Sequence, residues 1–177
     1  MSEAAVELFL ESGYDAISID DIALRAGVSR GSFFTYLPGG KPDALWHYLL
    51  PTLEAVVPEA RDGRGPVADC IEAIVSAVAP WGNNVPQVLR DAELMGVREV
   101  LLNTAGVHLD AVSERLAAHI ALAEGTLPET PRASTVARAL AGGACGAISG
   151  WMHDPTAQTA AEAVRAGITP LEVYELQ

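Results

Sequence analysis

The apolar positions of the N-terminal third recur at helical spacing and are divided by capping residues and glycines. Gly13 and Gly27 have the character of residues that end helices, whereas Ser18 and Ser29 have the character of N-caps. Asp21 follows Ser18 by three positions, which is the spacing of a capping box. The pattern predicts four helices, at about 4–12, 19–26, 29–37 and 42–57, the last of them kinked or broken at Pro51.

The rest of the chain keeps a helical pattern after a stretch rich in glycine and charge at 58–66. Further helices are predicted at about 67–79, 86–102, 105–123, 131–153 and 156–166, separated by proline and glycine. No segment alternates as a strand does, and no internal repeat is visible. The predicted fold class is therefore all-α.

The composition agrees with a packed helical protein. Half of the 177 residues are hydrophobic, the mean hydropathy is +0.23, and only 6% are aromatic. This excludes a disordered chain and favours close-packed helices over a β-sandwich. No run approaches the ~18 residues of a membrane span, Met1-Ser2-Glu3 does not resemble a signal peptide, and Cys70 and Cys145 lack CxxC spacing. We expect a cytoplasmic protein without membrane association and with two reduced thiols, a regulatory disulfide being the alternative.

The segment 19–36, IDDIALRAGVSRGSFFTY, predicts a helix, a tight turn and a second helix. Ala23 is small where the helices would cross, and Gly27 can adopt the left-handed conformation that the turn requires. Val28 and Phe33 would hold the second helix against the first. The second helix would then present its outer face to the major groove of DNA. That face comprises Ser29, Arg30, Ser32, Phe34, Thr35 and Tyr36.

Residues 4–37, AAVELFLESGYDAISIDDIALRAGVSRGSFFTYL, resemble the DNA-binding head of TetR-type repressors. The matching features are an ELF-x-E-x-GY-x-A-x-S/T segment, a DIA-x-x-AGVS turn and a G-x-[FL]-[FY]-x-Y-[FL] recognition helix. The resemblance implies a three-helix helix-turn-helix DNA-binding domain at residues 1–48 and a C-terminal helical ligand-binding and dimerisation domain at residues 49–177. It implies a ligand-responsive repressor that binds a palindromic operator as a dimer.

The resemblance also implies roles for individual residues of the head. Residues at the starts of the second and third helices, at the end of the recognition helix and at the start of the fourth helix would contact phosphates. The first residues of the recognition helix would meet base edges, with Arg30 best placed for a bidentate contact to guanine. The phosphate set is Ser18, Ser29, Thr35, Tyr36 and Lys41, and the base set is Arg30, Gly31, Ser32 and Phe34.

The charge of the chain leaves an alternative open. The net charge is −12, and residues 1–50 hold seven acids and three bases, which gives −4 for the head. Met1-Ser2 carries no basic residue where TetR-type heads usually have a basic arm, and the 37–43 join is one residue longer than usual. Since phosphate attraction supplies most non-specific affinity, the alternative is a TetR-fold dimer whose degenerate head binds a small molecule or protein without tight DNA binding.

The C-terminal helices are the predicted dimer surface. Residues 139–150, ALAGGACGAISG, are nearly all small, which lets helices of two subunits approach closely, although packing within one subunit is the alternative. An effector pocket is expected among apolar and aromatic residues of the body. The candidates are Trp81, Met95, His108, Val112, Leu116 and Trp151.

No enzyme, cofactor or metal site is predicted. The sequence contains no HExxH, GxSxG, P-loop or GxGxxG motif. His108 and His119 lie eleven residues apart, hence about 16 Å along a helix, which is too far for one metal ion. The partners that the resemblance implies are double-stranded operator DNA, an unidentified small-molecule effector and a second copy of the chain.

Overall fold

The computed structural model describes residues 1–176, and the side chains of residues 1–173. This part of the chain contains α-helices and short 3₁₀ turns and no strand, so the all-α prediction is confirmed. The helices are α1 Ser2–Ser12, α2 Ile19–Arg25, α3 Arg30–Tyr36, α4 Lys41–Trp46, α5 Leu50–Glu54, α6 Pro66–Val78, α7 Gln87–Arg90, α8 Ala92–Met95, α9 Arg98–Glu124, α10 Pro131–Trp151 and α11 Ala160–Ile168.

The chain divides into two compact units. Unit 1 comprises Met1–Pro51 with Pro86–Gly106, and unit 2 comprises Thr52–Val85 with Val107–Gln177. Unit 1 thus includes Pro86–Gly106 in addition to the N-terminal helices. The boundary predicted from the sequence, between residues 48 and 49, separates two functional domains and stays a prediction.

Unit 1 is built on α1, which contacts α2, α4 and α8. Phe9, Ile22, Phe33 and Leu45 are fully buried in it. The second segment is joined to the first by hydrogen bonds: the Tyr14 N–H donates to the Met95 carbonyl at 2.8 Å. The N-terminal helices therefore pack against α8 as well as against one another.

Unit 2 is a separate apolar core between α6, α10, α11 and the later part of α9. Val67, Leu116, Ile120, Leu140 and Ile168 are fully buried there. At its surface the Arg165 guanidinium donates to both carboxylate oxygens of Glu72, joining α11 to α6. The core of unit 2 is therefore built from apolar side chains of four helices.

Two of the predicted helices in the body were wrong. The helix predicted at 86–102 is divided among α7, α8 and the start of α9: Asp91 separates α7 from α8, and Gly96 ends α8 with a φ of 70° in the left-handed region. The break predicted near residue 104 does not occur, and α9 runs through Gly106. A single glycine within a helix costs only about 1 kcal/mol, and the Thr104 hydroxyl is satisfied by the Val100 carbonyl at 2.7 Å.

The helix break predicted near Pro51 is confirmed. The chain leaves the helical conformation after Trp46, and Pro51 lies in the first turn of α5, so the predicted break occurs slightly before the proline. Within the described residues Cys70 and Cys145 are not joined in a disulfide, and burial raises the pKa of Cys145. Among residues 1–176, no helix combines the length and apolarity needed to cross a membrane.

Candidate DNA-binding site

The α2–turn–α3 segment has the geometry that its sequence predicts. Gly27 adopts a φ of 69°, and the next residue, Val28, donates its N–H to the Ala23 carbonyl at 2.9 Å. Ala23 is buried at the crossing of the helices, and Phe33 is completely buried on the inner face of α3. The left-handed glycine and the small residue thus allow a close turn, and the phenylalanine fixes α3 against the rest of unit 1.

Serine caps define the starts of both helices. The Ser18 hydroxyl accepts from the Asp21 N–H at 3.1 Å, and Asp21 accepts from the Ser18 N–H at 2.9 Å, which completes the predicted capping box. The Ser18 hydroxyl and N–H lower the pKa of the Asp21 carboxyl. At α3 the Ser29 hydroxyl accepts from the Ser32 N–H at 3.1 Å. Both predicted phosphate-contact serines therefore act as helix caps in this structure.

The outer face of α3 is exposed and carries the predicted base-reading residues. Arg30, Gly31, Phe34, Thr35 and Tyr36 are exposed, with Tyr36 at 71% and Phe34 at 41%. Ser32 is half-buried, and the Thr35 hydroxyl donates to the Gly31 carbonyl at 3.2 Å. The structure brings all of these residues to one short helix, whereas Ser18 lies at the start of α2.

Arg30 is held by groups of its own unit. Its guanidinium lies 2.8 Å from the Asp20 carboxylate and 5.7 Å from the centre of the Phe34 ring. Both partners of the ion pair are more than half exposed, so the pair contributes little to stability. Asp20 is therefore paired with the cation that is predicted from the sequence to contact a base.

Lys41 is directed into unit 1. Its ammonium donates to the Tyr14 carbonyl at 2.7 Å and to the Ile17 carbonyl at 2.8 Å, and it lies 4.0 Å from the centre of the Tyr14 ring. Burial lowers the pKa of Lys41, and the charge of Asp15 partly opposes that shift. The side chain thus ties the start of α4 to the link between α1 and α2.

The glycine turn before α4 explains this placement. Gly40 adopts a φ of 84°, and the Asp43 carboxylate accepts from the Gly39 N–H at 2.6 Å. A Cβ added at Gly39 would displace the Asp43 carboxylate, which lies at the end of a flexible side chain. The turn therefore depends mainly on Gly40, and it starts α4 at Lys41 rather than at the predicted Pro42 or Asp43.

Comparisons with known proteins agree with this geometry. Residues 2–39 match the family model of bacterial regulatory proteins, tetR family. The structure matches that of Thermus thermophilus FadR, described as a TetR family transcriptional repressor in complex with lauroyl-CoA, with a TM-score of 0.55 and 25% identity. The match covers 99% of this chain and 93% of that chain. The N-terminal segment of the chain therefore matches the TetR family, and the fold is similar to that of a TetR-family repressor. A search of curated proteins found no match to the sequence.

The N-terminal head is braced by an ion-pair cluster that the sequence did not predict. Arg25 on α2 makes two hydrogen bonds to Glu11 on α1, at 3.1 and 2.8 Å, and lies 3.5 Å from Glu7. The hydrogen bond from Arg25 lowers the pKa of the exposed Glu11 carboxyl. Glu7 and Glu11 lie one helical turn apart, so their spacing was visible in the sequence, but the partner on α2 was not.

The predicted effector residues do not form one group. Val112, Leu116 and Trp151 are buried in the core of unit 2, and Trp81 stacks against Trp151 with ring centres 6.4 Å apart. The two indole N–H groups donate within unit 2, to the Thr52 hydroxyl and the Gln158 carbonyl. His108 is partly buried on α9, and Met95 is completely buried in unit 1.

The position of Lys41 leads to a testable prediction. We expect Lys41→Met to lower the free energy of unfolding by about 1–2 kcal/mol, because two hydrogen bonds to backbone carbonyls are lost. Urea denaturation followed by circular dichroism measures this. We also expect the slope of log K for DNA against log salt to stay unchanged. A slope shallower by about 0.9 would instead identify Lys41 as the phosphate contact that the resemblance implies.

Proposed function

We propose that this chain is a DNA-binding transcriptional regulator of the TetR family that binds a palindromic operator as a homodimer and is released by a small-molecule effector, hence a ligand-responsive repressor. The observation that carries the proposal is the α2–turn–α3 unit: Phe33 is buried on the inner face of α3, while Arg30, Phe34 and Tyr36 are exposed on its outer face. A short helix held in this way fits the major groove and reads base edges near its N-terminus.

The proposed contacts follow from position on the two helices. Arg30 would leave Asp20 and make a bidentate contact to guanine, supported by Gly31, Ser32 and Phe34. Ser18 and Ser29 would bring the N–H groups of the starts of α2 and α3 to phosphates, with Thr35 and Tyr36 at the adjacent backbone.

The proposed dimer surface is on α10. Gly142, Gly146 and Gly150 are exposed, recur at intervals of four residues, and have open space where a Cβ would lie. Gly143, in contrast, faces Ile168 of α11, at 3.2 Å from an added Cβ. The exposed row supports close approach of a second α10, and a two-fold axis would supply the two heads that a palindrome requires.

Unit 2 is the proposed effector domain. The similar Thermus thermophilus protein binds lauroyl-CoA in its crystal structure, and this supports the expectation that the body of the present chain also takes a small organic ligand. The side chains proposed for that role from sequence are packed in two different units, so they do not define the ligand.

The second candidate function is that of a TetR-fold dimer that does not bind DNA tightly. Three observations favour it: Arg30 is paired with Asp20, Lys41 is directed into unit 1, and the head carries a net charge of −4 over residues 1–50. On this alternative the chain is a dimer that binds a small molecule or a protein.

Fluorescence anisotropy tests the proposal. The full chain is titrated into labelled DNA from the region upstream of its own gene, and into scrambled DNA of the same composition, at about 50 and 200 mM salt. We expect preferential binding of the upstream DNA. The affinity should fall at the higher salt concentration, because the release of counterions from the DNA is then less favourable. Sedimentation of the same sample tests the dimer. Equal binding of both DNAs at low salt would favour the alternative.

The ion pair between Arg30 and Asp20 leads to a substitution that is expected to strengthen DNA binding rather than weaken it. We expect Asp20→Asn to raise DNA affinity about two- to five-fold, because it frees Arg30 and removes a negative charge near phosphates. Asp62→Asn, an exposed acid of unit 2 that undergoes the same charge change, is the control and should leave affinity unchanged. Unchanged or weaker binding by Asp20→Asn would show that Asp20 does not compete for Arg30.

A further inference from the structure

The outer face of α3 includes a side chain that cannot form hydrogen bonds. Phe34 is exposed on this face, whereas its neighbours Arg30, Thr35 and Tyr36 all end in polar groups. Phe33, the preceding residue, is instead fully buried on the inner face. The face therefore offers two kinds of surface to DNA, one cationic and polar and the other apolar.

The Phe34 ring is in contact with two other side chains. It meets the buried Phe33 ring nearly at right angles, with ring centres 5.4 Å apart. The guanidinium carbon of Arg30, one helical turn earlier, lies 5.7 Å from the centre of the Phe34 ring, which is within the range of a cation–π contact. The ring and the guanidinium are therefore presented side by side, and a base edge that contacts Arg30 has Phe34 next to it.

The base edges in the major groove include one apolar group. Guanine presents N7 and O6 as acceptors, adenine presents N7 and an amino group, and cytosine presents an amino group. Thymine presents O4 together with its C5-methyl group. A phenyl ring that covers a polar edge removes it from water without returning a hydrogen bond, which is unfavourable. The thymine methyl group is therefore the partner that suits Phe34, whereas the two acceptors of guanine suit Arg30.

We infer that α3 reads two adjacent base pairs, with Arg30 on the guanine of one pair and Phe34 on the C5-methyl group of a thymine in the other. Successive base pairs are stacked about 3.4 Å apart, so side chains that touch one another meet the edges of neighbouring pairs. This inference rests on the proposed function, because it concerns the bases that the same helix contacts. It adds a specificity-determining residue, Phe34, and the base that this residue selects.

Selection from randomised duplex DNA tests the inference without knowledge of the operator. The full chain is mixed with the pool at about 50 mM salt, where binding to phosphates is strong, and bound duplexes are amplified and sequenced over several rounds. We expect the enriched half-site to contain a guanine with a thymine in the adjacent base pair. If no sequence is enriched, the proposed function fails and the inference fails with it. An enriched half-site without this pair of bases would overturn the inference alone.

Removal of a single methyl group tests the contact to thymine directly. In one half-site of the enriched duplex, the thymine is replaced by deoxyuridine, which lacks the methyl group and keeps every hydrogen-bonding group. We expect the wild-type chain to bind this duplex about four-fold more weakly in fluorescence anisotropy, as for the loss of one buried carbon group. Deoxyuridine at a position that the selection leaves unspecified is the control and should leave the affinity unchanged.

Variants of α3 assign the methyl contact to one side chain. We expect Phe34→Ala to bind the thymine and deoxyuridine duplexes with equal affinity, and Phe34→Leu, which keeps an apolar side chain, to retain part of the difference. Tyr36→Phe removes an exposed hydroxyl of the same helix. It should weaken both duplexes equally, because a phosphate contact carries no sequence information. Circular dichroism checks that each variant is folded.

Two results would overturn the assignment of the thymine to Phe34. One is equal affinity of the wild-type chain for the thymine and deoxyuridine duplexes. The other is a wild-type ratio of the two affinities in Phe34→Ala, because the methyl group would then contact another part of the chain.

Discussion

Replacing Phe33 by alanine is expected to lower the free energy of unfolding of unit 1 by about 3–5 kcal/mol. The ring is completely buried between α3 and the rest of the unit, and its removal leaves a cavity in addition to the lost burial of apolar area. Such a loss is a large fraction of the stability of a small domain. Because Phe33 also fixes the orientation of α3, operator binding should be lost together with stability.

Phe34→Ala is the matched control for Phe33→Ala. The two rings are neighbours with centres 5.4 Å apart, but Phe34 is 41% exposed, so we expect a loss below about 1.5 kcal/mol. Hydrogen exchange of peptides from α1 to α4 measures both variants in unit 1 without a contribution from unit 2. Equal destabilisation by the two variants would contradict the assignment of Phe33 as the residue that anchors α3.

The head was predictable because its signals are local. Ser18 with Asp21, Gly27, and the alternation of Phe33 inward with Phe34 outward all lie within one or two turns of each other. Capping and turn geometry depend on such short-range relations, so the sequence determines them with little help from the rest of the fold.

The body was less predictable because its contacts join distant positions. The end of α8 at Gly96 and the continuity of α9 through Gly106 involve the same residue type with opposite outcomes. A glycine permits a left-handed cap but does not impose one, and packing decides between the two. The pairing of Asp69 with His119, fifty residues apart, has no signal in spacing.

The site prediction was limited for the same reason. The residue type alone identifies Lys41 as a cation of the head. In the structure Lys41 follows the turn at Gly39 and Gly40. Its ammonium there donates to the Tyr14 and Ile17 carbonyls, which the residue type does not indicate. The indoles of Trp81 and Trp151 were likewise interpreted as pocket walls from their chemistry, which stays a prediction. Trp151 is buried in the core of unit 2, and the partly buried Trp81 stacks against it.

Arg30→Ala is expected to weaken binding to the operator by about 1–3 kcal/mol, or roughly 5- to 150-fold, while binding to scrambled DNA changes much less. The reason is that a bidentate contact to guanine carries sequence information, whereas phosphate contacts do not. Folding should be unaffected, because Arg30 is 58% exposed and its pair with Asp20 is a surface ion pair. Anisotropy with both DNAs, and circular dichroism of the variant, measure the two effects.

The control for Arg30→Ala must remove the same charge away from the proposed DNA-binding and dimer surfaces. Arg61→Ala does so, since Arg61 is an exposed arginine of unit 2 that lies outside α10. If Arg61→Ala reproduces the loss, long-range charge accounts for the effect of Arg30. If Arg30→Ala weakens both DNAs equally, Arg30 contacts phosphate rather than a base. Only a loss confined to the operator supports α3 as the helix that reads sequence, and Asp20→Asn should then strengthen that same preference.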